Sequence, residues 1–257
     1  MEQTTVGVIG AGRIGRMHTE NLVHAIPEAR VKSVASPHVD REWAAAHGIA
    51  VATTDNNVVL VDSEIEAVVI TAPSGLHAEL ICRAAEAGKH VFCEKPVAFE
   101  TEPIEEVLAA VDTAGVQLQV GFNRRFDPGL LRMRDMVRSG AIGEIHTLRV
   151  TNRDPKAPAI EFVRRSGGLF FDFTIHDLDT VRFLSCGEIV EVFAAGGVLI
   201  DPEIGAAGDI DTAVITLRLS NGALTVISAT SASSQSISRR SPCSAGSNSS
   251  ADRIWMT

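Results

Sequence analysis

Six residues near the beginning of the chain, Gly10-Ala11-Gly12-Arg13-Ile14-Gly15, restrict what it can fold into more than any other stretch. They follow an apolar, strand-like run at 6–9 and open a segment, 14–25, whose apolar residues recur at helical spacing until Pro27 closes it. A second strand-like run, at 31–35, completes a βαβ unit of about 30 residues. Glycines at this spacing occur in many turns, but between a strand and a helix they have a specific use. Gly10 permits the tight turn, Gly12 lets the backbone approach a pyrophosphate, and Gly15 lets helix and strand pack closely. The unpaired N–H groups of the helix's first turn are available to the phosphates. A dinucleotide site over Gly10, Gly12, Arg13, Ile14 and Gly15 is therefore expected.

The alternation continues along the chain. Asp40 can cap a helix running to residue 47, 67–71 is strand-like, and 77–87 reads as a helix with Gly88 at its end. Then come strand 91–93, helix 102–114 and strand 116–120. This order predicts an α/β domain, a doubly wound parallel sheet of the Rossmann type, over 1–122. Beyond it the pattern shifts. Pro128 opens a helix to 138, 144–151 alternates like a half-buried strand, and Gly167-Gly168 precedes a helix ending near 184. Strands follow at 189–194, 212–219 and 223–229, with Asn221-Gly222 as a hairpin turn. An incomplete α+β domain with a mainly antiparallel sheet is expected over 123–229. From 231 to 250, ten of twenty residues are serine and periodicity vanishes, so 230–257 is expected to be a disordered tail.

Composition narrows the classes of function. There are 23 basic and 32 acidic side chains, a net charge of −9, so there is no basic excess to displace phosphate counterions and no nucleic-acid partner is expected. No run of 18 apolar residues exists, so no membrane-spanning helix is expected. The first five residues lack a basic signal-peptide region. Cys82, Cys93, Cys186 and Cys243 lie far apart without CxxC spacing, which argues against a metal site and a disulfide framework. The expectation is a cytoplasmic protein with reduced thiols, Cys93 being core.

Two places bear on cofactor and reaction. At the end of the second strand, where an acid usually accepts from the ribose hydroxyls of NAD, the chain has Ser36, with Asp40 four residues on. A small hydroxyl tolerates a 2′-phosphate, so NAD and NADP both remain open. Asp172 and His176 are four apart, one face of an α-helix. A carboxylate beside an imidazole orients it and raises its basicity, so that histidine can accept a hydroxyl proton near neutral pH. Lys95, just past a strand end, could hold that hydroxyl and stabilise alkoxide character.

Glu94-Lys95-Pro96, Gly121-Phe122-Asn123-Arg124-Arg125-Phe126-Asp127 and the stretch from Gly167-Gly168 through Asp172 to His176-Asp177, taken with the glycine turn, resemble the glucose–fructose oxidoreductase, inositol dehydrogenase and rhizopine catabolism family (Gfo/Idh/MocA). Within it, the Gly121–Asp127 motif and residues 201–213 are similar to inositol 2-dehydrogenases. The resemblance implies a catalytic group of Lys95, Asp172 and His176, with His176 as general base. It also implies cofactor contacts at Thr71, Pro73, His77, Glu94 and Lys95, and polyol contact at Arg125. Asn152 and Asp154, in a neighbouring loop, are further candidates for lining the substrate. Arg124 reads equally as a surface charge, and Asp177 and Asp179 as residues that cap or solvate their helix.

The resemblance runs from 6 to about 229 and then breaks. Inositol-type members continue into a Tyr-Gly-Tyr-Asp-Gln-Arg-like segment, whereas this chain has no tyrosine and turns serine- and arginine-rich at 230, as an out-of-frame reading would. Two readings follow. One is an NAD(P)-dependent dehydrogenase oxidising myo-inositol, or a related cyclic polyol or sugar, to a ketone. The other is a catalytically impaired dinucleotide-binding fragment of such an enzyme, in which the homo-oligomeric assembly common in the family is in doubt.

Overall fold

In the computed structural model the described residues are 3–231 and the backbone of 253–256. The chain divides into two units, Met1–Gly121 and Phe122–Thr257.

Unit 1 alternates strand and helix: β1 (Thr4–Ile9), α1 (Arg13–Ala25), β2 (Ala29–Ala35), α2 (Arg41–Ala46), β3 (Val51–Thr53), α3 (Asn56–Leu60), β4 (Ala67–Ile70), α4 (His77–Glu86), β5 (His90–Cys93), α5 (Thr101–Ala114) and β6 (Leu118–Val120). The six strands are parallel in the order β3-β2-β1-β4-β5-β6, the doubly wound Rossmann arrangement. Central strands of such a sheet are covered on both faces and so read as continuous apolar runs rather than alternating ones. β1 follows that rule, with Val6, Val8 and Ile9 all buried. Ile9 and Ile70 pack with Leu80, Ile81 and Val107 from α4 and α5, while Val6, Val8 and Val34 pack with Ala44 of α2 and residues of α1. Short β3 and α3 escaped the sequence reading: three and five residues are too few to show a period, and β3 is held by pairing with β2.

Unit 2 begins with a 3₁₀ turn (Asn123–Phe126), then α6 (Pro128–Arg138), β7 (Thr147–Arg153), α7 (Ile160–Ser166), a π-helical turn (Leu169–Thr174), α8 (Ile175–Ser185), β8 (Ile189–Gly197), α9 (Pro202–Ala206), β9 (Thr212–Leu219), β10 (Leu224–Thr230) and β11 (Arg253–Met256). Its sheet has the order β11-β7-β10-β9-β8, antiparallel except where β10 runs parallel to β7. β9 alternates strictly. Ala213, Ile215, Leu217 and Leu219 are buried, the last three in a core shared with α6 and α8, and Val214, Thr216 and Arg218 are exposed. In the segment expected to be disordered, Thr230 instead closes β10 and Arg253–Met256 pairs with β7. Backbone ladders need no side-chain period, which is why composition does not reveal that strand. Residues 232–252 and 257 lie outside the described residues. Among the described residues no helix is long and apolar enough to cross a membrane.

Candidate dinucleotide-binding and catalytic residues

The glycine turn lies between β1 and α1, where the strand order of unit 1 reverses. It is tied to both neighbouring strands. The Gly10 N–H donates to the Ala35 carbonyl at 2.8 Å, the Thr71 N–H to that of Ile9 at 2.8 Å, and the Thr71 hydroxyl to that of Gly10 at 2.8 Å. Gly10 has φ +105°, and a Cβ there would come within 2.6 Å of the Thr71 carbonyl and the Ala72 nitrogen. A Cβ on Gly15 would collide with the Gly10 carbonyl oxygen and stand 2.6 Å from Thr71 Oγ1. Gly12 differs, with nothing within 4 Å of its Cβ position. Gly10 and Gly15 are thus demanded by the chain's own packing, while the space over Gly12 is open beside the N-terminus of the 13-residue α1. These residues fit the pyrophosphate of a dinucleotide. Gly12 and Arg13 are exposed and Ile14 is half-buried.

At the end of β2, Ser36 is buried; its N–H donates to the Thr53 carbonyl at 3.0 Å and its own carbonyl accepts from Val39 at 3.1 Å. Asp40 is committed elsewhere. Its carboxylate caps α2 by accepting from the Trp43 N–H at 2.9 Å and pairs with Arg16 of α1 at 3.2 Å. The Trp43 N–H foremost, and Arg16 with it, hold this carboxyl below the usual range.

Beyond β4, Thr71 is half-buried and Pro73 exposed. His77 does more than start α4. It is 1% exposed, with Nδ1 2.7 Å from the Pro96 carbonyl and Nε2 2.8 Å from that of Ala72. Glu94 and Lys95 follow β5 and are half-buried. Cys93 before them is fully buried, and burial pushes its thiol up, so it is core as expected. Burial also raises the Glu94 carboxyl, but the hydrogen bond and charge of His18, with the N–H and charge of Lys95, outweigh it and hold the group below its ordinary value. His18 Nε2 donates to Glu94 Oε1 at 2.8 Å. Sequence reasoning missed His18, because nothing in the linear order links residues 76 apart.

In unit 2 the two arginines of the 3₁₀ turn are anchored on α8. Arg124 Nη1 meets Asp177 Oδ1 at 2.6 Å, and Arg125 grips Asp179 through Nε and Nη2 at 2.6–3.0 Å. Asp177 is 0% and Asp179 6% exposed. This corrects the reading of the two acids as capping or solvated and of Arg124 as a surface charge, since a buried carboxylate requires a partner that the linear order does not reveal. Asn152 on β7 is buried as well and donates its amide to both Asp177 oxygens at 3.1 and 3.2 Å. Asp154 is exposed, its N–H donating to the Thr230 carbonyl at 3.1 Å.

Asp172 lies in the π-helical turn and His176 in the first turn of α8, both half-buried. The sequence reading assumed an α-helix across both. A π turn is wider, rare, and frequent at functional sites. The Phe122 ring stands edge-on to that of His176 at 6.3 Å. The segment 201–213 also acquires a function. The Asp209 carboxylate accepts from the Leu169 N–H at 3.0 and 3.2 Å, and it occupies the position of a Cβ on Gly168, so it pins the entry to the π turn. Asp211 accepts from the N–H groups of Leu199, Ile200 and Asp201 at 2.8–2.9 Å and shapes the preceding loop. A shallow concavity beside α7 and α9, lined by Ile160, Glu161, Arg164 and Glu203 among others, contains none of these residues.

Unit 1 has the fold and the glycine cradle of a nicotinamide-dinucleotide domain. The family model described as an oxidoreductase family with an NAD-binding Rossmann fold matches residues 4–122, and the GFO/IDH/MocA C-terminal domain matches 130–241, some way past the point where the motifs break. The chain belongs to this family of oxidoreductases. It is 47% identical over 228 residues to an uncharacterized oxidoreductase, YrbE, of Bacillus subtilis (88% of this chain, 67% of that protein). It is 43% identical over 224 residues to the myo-inositol 2-dehydrogenase of Thermotoga maritima (86% and 67%). The scyllo-inositol dehydrogenase of Lactobacillus casei, solved with NAD(H) and scyllo-inositol bound, superposes with a TM-score of 0.82 at 32% identity (89% of this chain, 70% of that one). The chain thus spans about two thirds of the length of these relatives.

Proposed function

We propose that the chain acts as an NAD(P)-dependent dehydrogenase of the inositol 2-dehydrogenase type, taking myo-inositol or a related cyclic polyol or sugar to the ketone. The observation that carries this reading is the open Gly12 cradle at the sheet's switch point, in a chain 43% identical to a protein named as a myo-inositol 2-dehydrogenase. A bound nicotinamide supplies the hydride acceptor. In this reading Gly10, Gly12, Arg13, Ile14 and Gly15 hold the pyrophosphate, and Ser36, Thr71, Pro73, His77, Glu94 and Lys95 serve the rest of the cofactor. His176 takes the hydroxyl proton through its imidazole, Asp172 orients that ring and raises its basicity, and Lys95 holds the hydroxyl and stabilises its developing negative charge. Arg125, Asn152 and Asp154 contact the polyol in this reading, the first two steadied by Asp179 and Asp177.

NAD(P)H formation from a panel of inositols and pyranoses tests the assignment. His176→Ala lowers kcat by roughly 10²–10⁴, the scale of a positioned general base. Asp172→Asn also lowers turnover, and Lys95→Ala impairs both substrate binding and turnover. NADH binding, followed by fluorescence, survives in all three. A folded, NADH-binding wild-type chain that oxidises no polyol would overturn the substrate reading, and an undiminished His176→Ala enzyme would overturn the choice of base.

Both cofactors are accepted in this reading, because Ser36 offers no charge to repel a 2′-phosphate and Asp40 is spent on Trp43 and Arg16. Ser36→Asp shifts the ratio of NAD to NADP affinity toward NAD. A parent already strictly selective for NAD defeats this part of the proposal.

A further inference from the structure

Glu94 is half-buried, and its carboxylate accepts a hydrogen bond from the imidazole of His18. Three elements surround it. His18, in the second turn of α1, donates Nε2–H to Oε1 at 2.8 Å, with the two side chains 24% and 22% exposed. The Lys95 N–H donates to Oε2 at 3.3 Å. Gly121, just past β6, lies so close that a Cβ there would stand 3.2 Å from the carboxylate, so any side chain at 121 would press on it. The His18 ring is itself seated, edge-on against Phe92 of β5 at 5.2 Å. The imidazole is thus held by a ring contact to Phe92 and a hydrogen bond to Glu94.

We infer that His18 is a positioning residue. It ties the helix that begins at the glycine turn to the strand end bearing Glu94 and Lys95, so that the phosphate end and the reactive end of the cofactor site are held in one geometry. The inference rests on the proposed dinucleotide role of the glycine turn and of Glu94-Lys95, and it adds a residue that neither the glycine motif nor the Glu94-Lys95-Pro96 motif contains. The physical argument is one of coupling. α1 and β5 are not sequence neighbours, and a charge-assisted hydrogen bond between a half-buried carboxylate and a seated ring is directional enough to fix one relative to the other. Losing the donor removes the shortest hydrogen bond described for Glu94 and leaves the longer one from the Lys95 N–H at 3.3 Å, so the carboxylate is held less firmly at the strand end.

The test is a double-mutant cycle on the full chain with NADH affinity as the primary readout, measured by fluorescence titration, and polyol kcat and KM as the second. His18→Leu weakens NADH binding about tenfold, the scale of a partner removed from a half-buried acceptor. His18→Gln, which keeps an N–H donor at similar reach, restores most of that loss. In a Glu94→Gln background, His18→Leu has little further effect, because the interaction it removes is already weakened. If the leucine variant loses the far-UV circular dichroism of the parent, His18→Asn, polar but too short to reach Glu94, replaces it in the cycle. NADH affinity within twofold of the parent in folded His18→Leu overturns the inference, and so does a loss of equal size in the presence and absence of the Glu94 carboxylate. A parent that binds NADH but oxidises no polyol defeats the substrate reading alone, and the affinity cycle still decides the role of His18. A parent that does not bind NADH defeats both.

Discussion

Three glycines at the same turn do different things, and the difference is measurable. Gly10 and Gly15 have no room for a methyl group, whereas Gly12 has open space where its Cβ would be. Gly15→Ala forces a methyl group against backbone and destabilises unit 1 by roughly 1–3 kcal/mol, as overpacking does. Gly12→Ala leaves the packing of unit 1 untouched, since its Cβ meets nothing within 4 Å, and costs no more than about 1 kcal/mol through the poorer N-cap of α1, whereas Gly12→Val in addition abolishes NADH binding by occupying the phosphate's place. Denaturant titration and fluorescence titration separate the two effects. A Gly12→Val chain that binds NADH like the parent removes the cradle from Gly12. The sequence announces the motif through the spacing of these residues. Which glycine serves the fold and which the ligand depends on the Gly10 carbonyl and the Thr71 hydroxyl, and so on β4, which is some 60 residues away.

At the scale of elements, α8 carries more than its own periodicity suggests. Its first two turns present His176 and two buried acids, Asp177 and Asp179, each met by an arginine of the turn that opens unit 2. Arg124→Ala leaves the fully buried Asp177 without that guanidinium, and unfolding free energy falls by about 3–5 kcal/mol, the usual cost of breaking a buried pair. Arg125→Ala costs less, because Arg125 is 42% exposed and water replaces part of what is lost. Urea titrations of the two variants check the order; equal losses contradict it. The i, i+4 spacing of Asp172 and His176 was legible, but the π turn that carries Asp172 was not. Its first residue is held from outside the helix, where the Asp209 carboxylate accepts from the Leu169 N–H across 40 residues of sequence.

Each unit of the whole molecule has its own apolar core. Two clusters lie wholly within unit 1 and a third wholly within unit 2. Ile227 of β10 is fully buried in the third. Ile227→Asp places an unpaired charge there and collapses the packing of α6 and α8 on the sheet. NADH affinity stays at the parent's value, because the glycine turn and its supporting strands draw on the other two clusters. Polyol oxidation disappears, because Asp172 and His176 depend on α8. A variant that loses both together contradicts this separation.

The amino-acid sequence by itself determined the α/β class of unit 1, the place of the glycine turn and the strand-and-helix order that leads to it. Those signals are local: an apolar run, a glycine spacing and a helical period each lie within a few residues. It also singled out Lys95, Asp172 and His176 as candidates, from short motifs each lying within a few residues. Only the tertiary structure decided the rest. It paired His18 with Glu94, Arg124 with Asp177 and Asp209 with Leu169, contacts between residues 76, 53 and 40 apart. It also settled the short elements β3, α3, α7 and α9, which have too few residues to show a period and are held by their neighbours. The reason is physical: a hydrogen bond or a buried charge is satisfied by whatever the folded chain brings within about 3 Å, and that proximity is not written in any one stretch of sequence.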